Sequence, residues 1–395
     1  MTRLITYVST IDSAKLAINH GATDLIIDDP RLSIRSFQSQ GINLVELIQD
    51  IQSAFPTIQL SVNCDMMVHD CHVSLLEQFV NELKLTSVRS IRIQDVGLIS
   101  FFKDRLPNCL LTLNMEIGNH NHRSIDHHNS LVNGQVLSNE LTYSELRSIV
   151  SHIPNEYELQ VHGPILLQYS YRRYLASILF KKNPSNESVD SYPMIADKVI
   201  EDADYKGRFF PVLDNHHGHF MYFFMDRCLI KHAEKLLDLD LGGWIIDGRG
   251  HTQSYLKWSL QAYKQLLDGY DNSDRLFDKL AQISPRPLKP GFFVANKTDQ
   301  RRQSIIDLVP DNFRFVGRVL DVIPTSFITI EVISSFSRDF SNEPGFITPD
   351  RKIRFYSACP SLSDLNGRPI TSLTSGMIVQ LPWLKGVVSN SLFIV

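Results

Sequence analysis

Residues 4–28, LITYVSTIDSAKLAINHGATDLIID, decide the fold reading. An apolar β-type run, Leu4–Ser9, is followed by helical periodicity and then a second β-type run, Asp24–Asp28. Ser9 or Thr10 can cap the helix, Ala14, Leu16, Ala17 and Ile18 supply its apolar positions, and Gly21 ends it. Working outward, β-type runs recur at Gln59–Asn63, Ser90–Ile93, Leu110–Asn114, Gln135–Ser138, Glu158–Gly163 and Gly243–Gly248. Helical segments such as Leu75–Leu83, Tyr143–Val150 and Tyr255–Leu267 fill most of the gaps. Strand–helix alternation implies a parallel sheet with right-handed crossovers. Eight units predict a (β/α)8-like barrel, complete or distorted, over residues 1–275. An open doubly wound sheet is the rival, but no Gly-rich dinucleotide fingerprint follows any strand.

One gap is too long for a simple crossover, at about 164–242, and is read as an insertion. It holds a polar loop, Lys181–Ser188, and two apolar runs, Phe209–Asp214 and Phe220–Phe224, separated by His216-His217-Gly218-His219. A hairpin is expected there. From residue 276 to 310 the prolines Pro285, Pro287 and Pro290 with Gly291 read as a linker. The remainder, 311–395, gives five short strands, Phe315–Val322, Phe327–Ile333, Lys352–Tyr356, Met377–Leu381 and Leu392–Val395, with turns at Asn366-Gly367 and Ser375-Gly376. A small closed β-barrel module is expected.

The bulk numbers exclude some classes. The chain has 395 residues, a formal net charge of −4 and 43% hydrophobic residues. A mildly acidic protein has no global attraction for nucleic acid or anionic membrane. The last module, with eight basic and seven acidic residues, carries no basic footprint either. Neither a secretory h-region nor an apolar run of membrane-spanning length is visible, so a cytoplasmic protein without membrane contact is expected. Five scattered cysteines argue against a disulfide framework. The basic pairs Arg172-Arg173, Lys181-Lys182, Arg301-Arg302 and Arg351-Lys352 read as solvated surface rather than phosphate grips.

Several ordered stretches carry a resemblance. They are Asp12-Ser13-Ala14 through Gly21-Ala22-Thr23-Asp24 with Leu32-Ser33-Ile34-Arg35, Asn63, Gln94-Asp95-Val96-Gly97, and Leu137–Thr142 with Asn139 in place of an arginine. They continue with Glu158–Ile165 ending in Tyr169-Ser170, Pro211–Asp214 with His217-Gly218, Asp226-Arg227-Cys228-Leu229, Ile246-Asp247-Gly248-Arg249 and Pro290–Phe293. The set resembles the collagenase-like peptidases of family U32, closest to members with a C-terminal β-module that act in tRNA uridine hydroxylation. The resemblance implies hydroxylation of transfer RNA, with collagenase-like peptide hydrolysis and quinone-precursor hydroxylation as alternatives. It also implies four cysteine ligands for an iron–sulfur cluster. Here Leu166 and Arg173 stand at the first two positions, Tyr171 at an intervening glycine, and only Cys228 matches. One thiolate cannot hold a four-iron cluster, so no cofactor is expected, and the chain is read as a cluster-free, non-catalytic partner or binding subunit beside a paralogous subunit.

At barrel strand ends, where such folds place chemistry, the candidates are Asn63, Gln94, Asn114, Glu116, His162, Asp247 and Arg249. Arg249 is expected to grip a small anion in bidentate fashion, and His162 to act as acid or base in the barrel mouth. RNA is the other partner considered for the mouth. A tied loop for Asp247 and Arg249, and a strand cap for His162, are the bland alternatives. The segments Cys64–His72 and His120–His128 hold metal-ligand residue types without a standard spacing and read as loops. Neither a Gly-x-Ser-x-Gly elbow nor His-Glu-x-x-His is present, and Cys228 lacks a recognised nucleophile signature.

Overall fold

Thr10 starts the first helix: its side chain accepts from the Ser13 N–H, and the Ser13 hydroxyl takes the Thr10 N–H in return. In this computed structural model the chain follows β1 (Arg3–Val8), α1 (Ile11–Asn19), β2 (Asp24–Asp28), α2 (Leu44–Ala54), β3 (Gln59–Cys64), α3 (Val73–Lys84) and β4 (Ser90–Ile93). It continues through α4 (Leu98–Arg105), β5 (Leu110–Leu113), α5 (His122–Asn129), β6 (Gly134–Leu137), α6 (Tyr143–His152) and β7 (Glu156–Ser170). Then come α7 (Tyr174–Leu179), β8 (Ile195–Glu201), β9 (Phe209–Asn215), β10 (Gly218–Cys228), α8 (Ala233–Asp238), β11 (Gly243–Ile246), α9 (Gln253–Leu267), α10 (Ser273–Ile283) and β12 (Leu288–Lys289). The structure describes residues 2–36, 43–115, 118–179, 194–201, 207–270, 272–294, 309–310, 312–337, 343–349 and 352–395. The polar loop expected at Lys181–Ser188, the pair Arg301-Arg302 and Arg351 lie outside them. The chain divides into two units, Met1–Ala295 and Asn296–Val395.

Strands β1 to β7 pair in parallel in sequence order, and β11 pairs in parallel with both β1 and β7. That closes an eight-stranded parallel barrel with alternating helices. Successive side chains point to opposite faces of a strand. Leu4, Val8, Leu25 and Ile27 therefore join the large core beneath the helices, while Ile5, Tyr7, Ile26, Val136 and Ile245 form a separate apolar plug inside. The interior also seals charge. Arg92 makes two bonds to Glu158, at 2.6 and 2.9 Å, and Arg3 bonds Asp24 at 2.7 Å.

The seventh strand is longer than its sequence suggests. It continues past Gly163-Pro164 to Ser170, and its second half pairs antiparallel with β10. β9 and β10 form the expected hairpin, and β8 adds an edge. The insertion is thus an antiparallel arm grown from a barrel strand, not a free loop. Gly163 makes the bend: its φ is +113°, and a Cβ there would lie 2.1 Å from the Asp247 carbonyl oxygen. The stretch read as a linker from 276 is corrected at its start. Leu276 and Leu280 bury one face of α10, and Leu288 continues into β12, which pairs with β10.

The second unit is an antiparallel sheet. Its strands are β13 (Phe315–Ile323), β14 (Phe327–Val332), β15 (Phe336–Ser337), β16 (Gly345–Ile347), β17 (Ile353–Phe355), β18 (Ser372–Leu373), β19 (Ile378–Pro382) and β20 (Leu392–Ile394). The main path runs β17-β16-β20-β13-β14-β19, and β15 pairs with β18 apart from it. Alternate residues Val319, Ile328, Ile330, Val379, Leu381 and Phe393 supply its core. The separate all-β module expected from the sequence is thus present as an antiparallel sheet.

Candidate functional site

At the C-terminal rim of the barrel, Asp28, Asn63 and Asp247 bring buried polar side chains together from the ends of different strands. Asp28 ends β2 and Asn63 lies on β3; Asn63 donates from Nδ2 to Asp28 Oδ1 at 2.9 Å. Asp247 follows β11 directly, and Arg249 turns back over it. Arg249 donates to Asp247 from Nε at 3.0 Å and from Nη2 at 2.8 Å, and to Asp28 from Nη1 at 3.2 Å. Its guanidinium lies 3.5 Å from the centre of the Tyr7 ring. Arg35 stands 3.7 Å from the second Asp247 oxygen. Burial alone would raise the Asp247 pKa, but Arg249 and Arg35 outweigh it and hold the carboxyl at about 2. Burial pulls Arg249 down, and Asp247 and Asp28 carry it well above its ordinary value. The bidentate face of Arg249 is therefore spent on Asp247. It braces the loop, and the expectation that it grips an external anion bidentately is corrected.

His162 does not project into the mouth. Its ring packs at 5.3 Å from Tyr255 and 5.5 Å from Tyr263, both on α9. Neither ring nitrogen has a hydrogen-bond partner among the described residues, and burial pushes its pKa down to about 4. An imidazole so enclosed is a packing group, which corrects its expected acid–base role. Gln94 donates to the Asp65 carbonyl at 3.1 Å. Asn63 Oδ1 and Asn114 Nδ2 are buried without a hydrogen-bond partner among the described residues. Glu116 lies outside the described residues.

Two clefts border Arg249. One, of about 290 Å³, is lined by Tyr7, Asp28, Arg249, His251 and the starts of α1 and α9. The other, of about 200 Å³, lies beside Pro164, Tyr222, Arg249, His251 and Arg286. His251 borders both, and the sequence reading missed it. Its Nε2 lies 2.9 Å from Arg286 Nη2 and 3.0 Å from Asp226 Oδ2. Asp226 also accepts from the Tyr255 hydroxyl at 2.9 Å and pairs with Arg286 at 2.7 Å. Asp226, Arg286 and the His251–Tyr255 stretch lie far apart in sequence, so nothing local announces their meeting. Tyr7 was missed too, although it shares the inward face of β1 with Ile5.

The residues at the implied cluster positions do not fit a four-iron cluster. Leu166 is paired within the arm opposite Tyr222, and Arg173 is buried. The Cys228 thiol is buried against the Tyr263 hydroxyl at 3.9 Å, and burial pushes its pKa up to about 11. Among the described residues, no group of three or more His, Cys, Asp or Glu side chains is placed to hold a metal ion. In the Cys64–His72 segment, His72 Nδ1 accepts from the His69 N–H at 3.1 Å, while His127 and His128 lie on α5. No described helix is long and apolar enough to cross a membrane.

A model of Peptidase family U32 matches residues 9–303. The chain is 22% identical to the tRNA hydroxylation protein P of Escherichia coli, over 89% of this chain and 87% of that protein. It is 21% identical to the tRNA hydroxylation protein P of Haemophilus influenzae, over 80% and 79%. It is also 21% identical to the tRNA hydroxylation protein P2 of Bacillus subtilis, over 73% and 96%.

Proposed function

The chain belongs to peptidase family U32, and from that membership we infer that it works in the hydroxylation of transfer RNA, in the cytoplasm, as a cluster-free member of the family. The observation that carries the reading is the extent of the likeness: this chain and the E. coli tRNA hydroxylation protein match over 89% and 87% of their lengths. Such coverage takes in far more than a shared fold element. Absence of the cluster is inferred from the donor set, since a single buried thiol replaces the convergent thiolates a cluster needs. The chain then contributes a binding surface at the barrel mouth, and a paralogous subunit supplies redox chemistry. Peptide hydrolysis through Cys228 finds no support, because a nucleophile must be exposed and ionisable, and this thiol is neither.

The test is the modified-nucleoside profile of transfer RNA from cells lacking this chain, measured by liquid chromatography and mass spectrometry. Loss of hydroxylated uridine, restored by the intact gene, is expected. A profile identical to that of the parent cells contradicts the reading.

A further inference from the structure

We propose that the 290 Å³ cleft above Tyr7 is a binding site for a phosphate oxyanion, built from two helix starts, the Tyr7 hydroxyl and the His251 ring. The helix starts come first. α1 has nine residues and is capped by Thr10; α9 has fifteen and is capped by Thr252. Thr10, Ser13, Thr252 and Gln253 all line the cleft. The first N–H groups of a helix have no carbonyl partner within it, and each start carries about half a positive charge. Two starts facing one cleft make an anion site of the kind that receives phosphate.

The Tyr7 hydroxyl points to the same ligand independently. Tyr7 is only 7% exposed, and its hydroxyl is absent from the hydrogen bonds of the described residues. Its ring is fixed by the apolar plug below and by the Arg249 guanidinium 3.5 Å away. The hydroxyl is not among the buried polar atoms that lack a partner, so it opens to the cleft that Tyr7 lines and is free to donate to a ligand there. His251 lines the same cleft, its Nε2 held between Arg286 Nη2 at 2.9 Å and Asp226 Oδ2 at 3.0 Å. Tyr255, whose ring centre is 4.2 Å away, holds the imidazole in place.

Charge balance leaves room for an anion. Arg249 and Arg35 are matched by Asp247 and Asp28, so the helix starts supply the residual positive potential. Donors reach the cleft from β1, α1, α9 and the loop after β11. Phosphate, with more acceptor oxygens than a carboxylate, satisfies more of them. The site stands on this geometry and rests on the tRNA reading only for the source of the phosphate, a free nucleotide or the RNA backbone.

The experiment uses the full chain. Inorganic phosphate and uridine 5′-monophosphate are titrated by calorimetry, and unmodified tRNA by fluorescence anisotropy at fixed ionic strength. Phosphate binding is expected, weakened about tenfold in Tyr7→Phe, which removes one donor to a charged group. His251→Leu, with an unchanged melting temperature, weakens it similarly. Displacement of tRNA by phosphate identifies the RNA backbone as the source; tight nucleotide binding with tRNA unaffected by either variant identifies a free nucleotide. The inference is overturned if the wild type binds neither phosphate nor nucleotide at millimolar concentration, or if Tyr7→Phe binds as the wild type does. Phosphate binding with an unchanged nucleoside profile would remove the tRNA reading and leave this site standing.

Discussion

Asp247→Ala is expected to lower the unfolding free energy by about 3–5 kcal/mol, the cost of leaving a buried charge unpaired. Asp247 takes both donors of the Arg249 fork, at 3.0 and 2.8 Å, and faces Arg35 at 3.7 Å. Without it, the buried Arg249 guanidinium keeps, among the described residues, its contact with Asp28 at 3.2 Å as its one carboxylate partner. Asp247→Asn keeps the shape and isolates the charge. The folded-state pKa, about 2, lies below the ordinary aspartate value of 3.8. A carboxylate so depressed stabilises the fold above its unfolded pKa, and that contribution is lost as pH falls through the folded one. The gap between wild type and Asp247→Asn in urea unfolding is therefore expected to be constant near neutral pH and to shrink between about pH 4 and pH 2. A gap independent of pH would show that Asp247 acts by packing alone.

Gly163→Ala is expected to be equally damaging, by about 4 kcal/mol or more, because a clash and a backbone penalty coincide. The added Cβ would sit 2.1 Å from the Asp247 carbonyl oxygen, and φ is +113°. Neither strand can yield freely, since the Asp247 N–H donates to the His162 carbonyl at 2.9 Å across the same junction. Gly269→Ala is the control: φ is +87° there, and no atom lies within 4 Å of an added Cβ. It carries the backbone penalty alone, about 1–2 kcal/mol. Comparable urea midpoints for the two variants would refute the close approach that joins β7 to the mouth loop.

The barrel was legible because its signals are local. Residues 4–28 hold a cap, an apolar stripe, a terminating glycine and two strands, and the structure keeps all of them. Strands at Asp24–Asp28 and Ser90–Ile93 have the bounds their composition suggests. Distant pairing was not legible. Gly163-Pro164 reads as a strand end, yet β7 bends there and runs on because β10 supplies an antiparallel partner. β16 is absent from the five expected strands: it has three residues, and its pairing partners, β17 and β20, come later in the chain. At the site, Asp247 and Arg249 were visible as a pair two residues apart. Their mutual saturation was not, because it depends on how the loop folds back. Tyr7 looked like any inward strand residue, and His251 gains meaning only from Arg286 and Asp226, which other elements deliver.

In the role proposed here, this family member works without an iron–sulfur cluster, because Cys228 stands without companion thiolates at the implied ligand positions. Iron and acid-labile sulfide analysis of the full chain, purified without oxygen, tests that claim most directly. Far less than one iron per chain is expected, with no charge-transfer absorption in the visible range. Four irons and four sulfides bound per chain would contradict it.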